Sequence, residues 1–164
     1  PIMTKKTKES LIDWCYAAVT FQALKGKRVV VFGHDSMGME TALPHVSATR
    51  NQFGIEITRL DMKLLSDMLT KKSYDERELL KLKKWIKSDC LKIELPKETD
   101  EDNLDKSLAL YLIVRDMMKE LNAVGGGFMS QLEWGSDSRG IPLPVADIME
   151  SLFNSTFDLS LIHI

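Results

Sequence analysis

Two glycine-punctuated segments hold the residue types best suited to chemistry: Gly33-His34-Asp35-Ser36-Met37-Gly38 and Gly125-Gly126-Gly127-Phe128-Met129-Ser130-Gln131-Leu132-Glu133-Trp134. The first follows the β-branched run Arg28 to Phe32, and the second follows a long helical pattern. In an α/β chain, ligands bind just past the carboxyl ends of parallel strands, where strand ends and helix N-termini converge. Glycines there let the backbone approach a ligand or take a positive φ. His34 and Asp35 are acid–base residue types at a strand end, with loop capping as the alternative reading. Gln131, Glu133 and Trp134 fall together on one extended segment. A glutamine beside an indole suits a carbohydrate, whose hydroxyls need hydrogen bonds and whose C–H face stacks on aromatic rings. An ordinary packed rim is the alternative. The candidate binding residues are therefore Ser36, Met37 and Gly38 on one loop, and Gln131 and Trp134 on the other.

Several other chemistries are excluded by spacing. Gly33 and Gly38 stand as in a phosphate loop, but Met39-Glu40 occupies the place of the required Lys-Ser/Thr pair. The dinucleotide fingerprint fails because position 35 is Asp35, and because Gly125-Gly126-Gly127 leads into no helix. His34, His45 and His163 show no H-x-x-H or H-E-x-x-H spacing, and Cys15 and Cys90 have no neighbouring cysteines, so zinc is unsupported. Ser36 lacks the G-x-S-x-G elbow of a hydrolase nucleophile.

These loops need a scaffold, and 164 residues are enough for one domain with a substantial core. A net charge of −2 and a pI near 6.0 give no electrostatic footprint for nucleic acid or an acidic membrane. Lys5-Lys6-Thr7-Lys8 and Lys71-Lys72 read as solvated surface. Two distant cysteines without a leader pattern read as reduced thiols in a cytoplasmic protein. The apolar run Leu108 to Val114 is too short to span a bilayer.

Periodicity sets out the elements. A helix capped by Ser10 is expected over Leu11 to Leu24, with Ile12, Tyr16, Val19 and Leu24 on one face and Gly26 closing it. Arg28 to Phe32 reads as a strand buried on both faces of a parallel sheet. Met39 to Gln52 reads as helix despite Pro44, and Ile55 to Leu60 as a second strand. Asp61 caps a helix over Met62 to Leu69, and Asp75 opens another through Leu79, Leu82, Trp85 and Ile86. Lys87 to Pro96 is expected to be irregular or a short strand. The acidic stretch Glu98 to Asp102 favours a helix start, with the helix at Asn103 to Asn122 burying Leu108, Leu112 and Met118. Val124 to Phe128 is a third strand and Val145 to Phe153 a final helix. The alternation predicts a three-layer αβα, Rossmann-like domain with a mostly parallel sheet. Residues 1–25 are expected to form a helix leading into the domain, and 26–158 the domain itself. The tail 159–164 carries no turn or cap signal and is expected to be adapter-encoded, which together with the opening at Pro1 suggests a fragment.

Read in order, these segments resemble the L-fucose isomerase family, within the wider L-fucose/L-arabinose isomerase group. The resemblance is carried by Lys25-Gly26-Lys27, Ser36-Met37-Gly38, Leu60-Asp61-Met62, Tyr74-Asp75-Glu76-Arg77-Glu78-Leu79 and Ile113-Val114-Arg115-Asp116-Met117-Met118. It continues through Gly127-Phe128, Gln131, Trp134 and Asn154-Ser155-Thr156-Phe157-Asp158. The similarity is collinear from Lys8 to Asp158, and the ordered set is specific although no single motif is.

The resemblance implies the middle, substrate-binding α/β domain of a much longer, multi-domain subunit. Such enzymes interconvert an aldose and a ketose, L-fucose with L-fuculose and often D-arabinose with D-ribulose, using Mn²⁺. A cation held by carboxylates and a histidine polarises the sugar oxygens, and a carboxylate moves a proton between C1 and C2 through a cis-enediol. The resemblance places the metal ligands and catalytic carboxylates beyond Asp158, so no catalytic or metal residue is expected in this chain. It also implies a homo-oligomer, a homohexamer, acting on a small-molecule sugar with neither nucleic acid nor membrane as partner. One departure bears on the sugar: Met129 stands where the family's Gly-Phe-Gln segment has a sugar-contacting glutamine, and Gln131 could substitute in part. An L-arabinose isomerase-like enzyme and a non-catalytic α/β sugar-binding module are the alternatives.

Overall fold

A computed structural model describes residues 4–33, 43–89 and 100–128 of the chain. Its elements are α1 (Lys5–Leu24), β1 (Arg28–Phe32), α2 (Val46–Phe53), β2 (Glu56–Leu60), α3 (Met62–Thr70), α4 (Glu76–Asp89), α5 (Glu101–Glu120) and β3 (Ala123–Phe128). The strands form one parallel sheet in the order β2-β1-β3, with the β-branched run Val29 to Val31 in its central strand. This is an α/β fold with an all-parallel sheet among the described residues. Parallel crossovers are right-handed, and the connection from β1 to β2 runs in the opposite direction from that between β2 and β3. That reversal assigns α2 to one face and α3 to α5 to the other.

Local chemistry explains most boundaries. Asp61 caps α3, its carboxylate accepting from the Lys63 N–H at 2.7 Å, and Asp75 accepts from the Arg77 N–H at 2.7 Å where α4 opens. Asp100 caps α5, and Glu101 and Asp102 in the first turn complement the helix dipole. Gly26 at φ 77° and Gly54 at φ 69° take the left-handed backbone that ends α1 and α2, and the Gly26 N–H donates to the Gly54 carbonyl at 2.9 Å.

Other boundaries depart from expectation. α1 starts at Lys5, not Leu11, because Thr4 accepts from the Thr7 N–H at 3.2 Å and supplies the cap assigned to Ser10. Nothing between residues 5 and 10 breaks a helix, so Ser10 is simply carried inside it. α2 starts at Val46, after Pro44, and its cap is His45, whose Nδ1 accepts from the Ala48 N–H at 3.1 Å; the expected start at Met39 lies outside the described residues. Proline cannot sit in a helix interior, so the helix forms after Pro44. Lys87 to Asp89 continue α4 instead of leaving it. The strand expected over Val124 to Phe128 is β3, with Gly125-Gly126-Gly127 inside it. The remainder of the irregular stretch to Pro96, the helix expected at Val145 to Phe153 and the tail 159–164 lie outside the described residues, as does Cys90.

The core sits between the sheet and α3 to α5. Val30 and Phe32 are fully buried with Met62, Leu65 and Leu82, whereas Val29 and Val31 on the opposite face are half-buried. The expectation of burial on both faces of β1 therefore holds for one face only among the described residues. α5 is enclosed on all sides from Ser107 to Arg115. Leu108, Leu112 and Met118 are buried as periodicity required, but so are the residues between them.

Candidate functional site: the carboxyl edge of the β1–β3 pair

The parallel register pairs Phe32 of β1 with Phe128 of β3, so the two strands end side by side on the carboxyl edge. Their rings stack with centroids 4.7 Å apart and planes 9° from parallel. This aromatic pair forms a rigid apolar floor where both chains leave the sheet. Gly33 comes next, at φ 106°, and its N–H still donates to the Leu60 carbonyl of β2 at 2.8 Å. A side chain at Gly33 would be strained in that left-handed region, so the glycine lets the chain turn while the ladder stays closed.

The two segments singled out in the sequence are thus launched from adjacent points on one edge, at the place where the strand order reverses. In open α/β sheets this is where ligands bind. Ser36, Met37 and Gly38 lie outside the described residues, as do Gln131 and Trp134. The same holds for His34, Asp35, Met129 and Glu133. Adjacency is shown for the strand ends that carry these residues; the side chains of the residues themselves are not placed.

The opposite edge is ionic. Arg28 donates to Glu56 at 3.1 Å and to the Leu121 carbonyl at 3.2 Å, and Arg50 also pairs with Glu56. The two guanidinium groups hold the Glu56 carboxyl below its ordinary value of 4.5. Lys27 Nζ reaches Asn122 Oδ1 at 3.0 Å across the same edge. These contacts tie the amino ends of all three strands together and face away from the candidate site. Sequence reasoning missed this cluster, because it depends on the register that sets Arg28 beside Glu56.

A second ionic tie joins α4 to α5. Arg115, with its side chain only 10% exposed, reaches Glu78 at 3.3 Å and Asp116 at 2.8 Å. Lys81 and Arg115 hold Glu78 below the usual carboxylate range. Burial opposes the charge on Arg115, but hydrogen bonds to Asp116 and Glu78 outweigh it and raise its pKa. A cleft of about 580 Å³ opens between the ends of α3, α4 and α5. Four of its charges pair, Lys83 with Asp105 at 2.7 Å and Lys106 with Asp102 at 2.6 Å.

Among the described residues no group of three or more His, Cys, Asp or Glu side chains is arranged to hold a metal ion. The described residues thus do not form a metal centre. Among the described residues, too, no helix is long and apolar enough to cross a membrane.

Comparison with known proteins decides the family. The family model described as "L-fucose isomerase, second N-terminal domain" matches residues 27–122. The chain belongs to the L-fucose isomerase family. It is 25% identical over 174 residues to the L-fucose isomerase of Haemophilus influenzae (strain PittEE). It is 26% identical over 174 residues to that of Salmonella choleraesuis, and 26% identical over 179 residues to that of Escherichia coli (strain SMS-3-5 / SECEC). Each alignment covers 92% of this chain but 29% of the relative, so the chain spans less than a third of the length of these isomerases.

Several of the described residues that carry the resemblance have structural roles. Gly26 turns the chain into β1, and Asp61 caps α3 while Met62 behind it is fully buried. Glu78 and Arg115 bridge α4 and α5. An L-fucose isomerase domain is recognisable here by its scaffold more than by its reacting groups.

Proposed function

We propose that this chain is the sugar-handling α/β domain of an aldose–ketose isomerase that interconverts L-fucose and L-fuculose. The observation that carries this reading is the family match over residues 27–122, which makes isomerase chemistry the frame for the site. The convergence of β1 and β3 at a carboxyl edge supports placing the sugar there. In this reading Ser36, Met37 and Gly38 border the sugar on one side, and Gln131 and Trp134 on the other. Phe32 and Phe128 keep the floor rigid and dry. Gln131 hydrogen-bonds a hydroxyl, and the Trp134 indole covers a C–H face.

The proton transfer between C1 and C2 belongs to carboxylates outside this domain. The described residues offer no donor set for Mn²⁺, and no part of the reaction is assigned to them. The cation, with its ligands beyond Asp158, is part of the proposal, as are a homo-oligomeric assembly and a cytoplasmic setting.

The deciding experiment is an aldose–ketose assay on the longer polypeptide that contains this chain. It would use L-fucose, D-arabinose and L-arabinose, each with and without Mn²⁺. Conversion of L-fucose that depends on Mn²⁺ supports the reading. Preference for L-arabinose moves the protein to the neighbouring isomerase class, and sugar binding without conversion makes it a binding module.

A further inference from the structure

α1 is a 20-residue helix without a single buried residue. Trp14 and Tyr16 are each 71% exposed, and Leu11, Ile12, Val19 and Phe21 are exposed with them. Contiguous apolar surface of this extent on a folded protein marks a contact site. At about 100° per residue, Ile12, Tyr16, Val19 and Ala23 form one apolar stripe, and Trp14, Ala18 and Phe21 a second about half a turn away. From Leu11 onward, Leu11 and Cys15 lie between the stripes on one side with Gln22, and Asp13 and Thr20 are polar on the other, while the opening turns from Lys5 to Ser10 are polar. A helical stretch with apolar stripes on two opposite sides is one built to be covered on both.

The same molecule contains the comparison. α5 is equally apolar around its circumference from Leu108 to Val114, and there every residue is buried by its surroundings. From Leu11 to Leu24, α1 has the apolar content of a covered helix, and none of its residues is buried in the described structure.

We propose that α1 is an interdomain helix, enclosed by the domain that precedes it in a longer polypeptide. The proposal rests on the reading of this chain as part of such a polypeptide. The family match starts at residue 27, just after α1 ends at Leu24, and the matched family is a second N-terminal domain. The relatives extend far beyond the aligned stretch, which is 29% of their length, so they contain ample chain to form the enclosure. Two stripes on opposite sides of the helix favour an enclosing domain over one second copy, because helix-on-helix packing of two copies covers a single stripe. Covalent attachment also gives the preceding domain a high effective concentration at α1.

Cys15 is a free, exposed thiol inside the apolar circumference and serves as the probe. Its alkylation by a maleimide pulse is followed by peptide mass mapping, in the 164-residue chain and in the longer polypeptide, at several protein concentrations. In the 164-residue chain Cys15 should react as an open thiol at every concentration. In the longer polypeptide it should react at least about tenfold more slowly, since modification then waits for local opening. Equal rates in the two proteins would overturn the proposal. Protection that grows with the concentration of the short chain would overturn it in favour of a second copy. Isomerase activity is measured on the same preparation. An active polypeptide with reactive Cys15 sinks the helix proposal alone, and an inactive one with protected Cys15 sinks only the functional reading.

Discussion

Glu56 accepts from both Arg28 and Arg50, and its carboxyl is held below 4.5 by those hydrogen bonds and the charges behind them. A carboxyl whose folded pKa is depressed adds stability above its unfolded value and loses it as pH falls through the folded one. The thermal midpoint of the chain should therefore fall as pH drops below 4.5. Glu56→Gln should lower the midpoint near neutrality and make the acid loss shallower, with Glu78 supplying the remainder. Superimposable acid slopes in calorimetry would remove Glu56 from that role. At the candidate site, Gln131→Ala in the longer enzyme should raise KM for the sugar, by about 1–3 kcal/mol if a buried hydroxyl is left unpaired. Steady-state kinetics and a melting curve on the same variant separate lost binding from lost folding. An unchanged KM takes Gln131 out of the site. The residue types at this edge were readable in the sequence as sugar-compatible. Arg28, Arg50 and Glu56 were not readable as a cluster, because ion pairs between distant residues follow from strand register.

Within β3, the three glycines are not equivalent. A Cβ on Gly126 would sit 3.0 Å from the Val30 carbonyl oxygen of β1 and 3.6 Å from Met118, whereas one on Gly125 meets nothing within 4 Å. Gly126→Ala must push against the backbone of the central strand and should cost about 1–3 kcal/mol, the range for overpacking. Gly125→Ala has room and no positive φ to satisfy, so loss of unfolded-state freedom should make it neutral or stabilising by up to about 1 kcal/mol. Urea denaturation of both variants checks this, and equal effects would mean that β3 does not pack on β1 in the register described. Strands and helices were legible because apolar periodicity and Asp caps are local signals. Asp61 and Asp75 act where their residue type predicts, whereas Asp100, within the acidic stretch expected to favour the helix, is the cap that starts α5 at Glu101 rather than Asn103. The start of α1 was missed because Thr4 and Ser10 are equally good caps on paper, and only the longer helix uses the first.

For the molecule as a whole, the described residues form a scaffold and a floor, and the proposed reading places the proton transfer beyond them. The isolated chain should show no Mn²⁺-dependent conversion of L-fucose above a no-protein control, while the longer polypeptide should convert it. Turnover by the isolated chain would place catalytic groups inside it. From the sequence alone came the α/β class, a central strand at Val29 to Val31, the glycine that follows β1 and the family. All of these rest on short-range patterns or on ordered similarity. Tertiary structure alone decided the strand order β2-β1-β3, the Phe32–Phe128 floor, the ionic tie at the amino edge and the exposure of the α1 apolar residues in the described structure. Each of these depends on which distant residues meet. A linear pattern marks an apolar residue as wanting burial, but the assembled fold determines whether anything covers it.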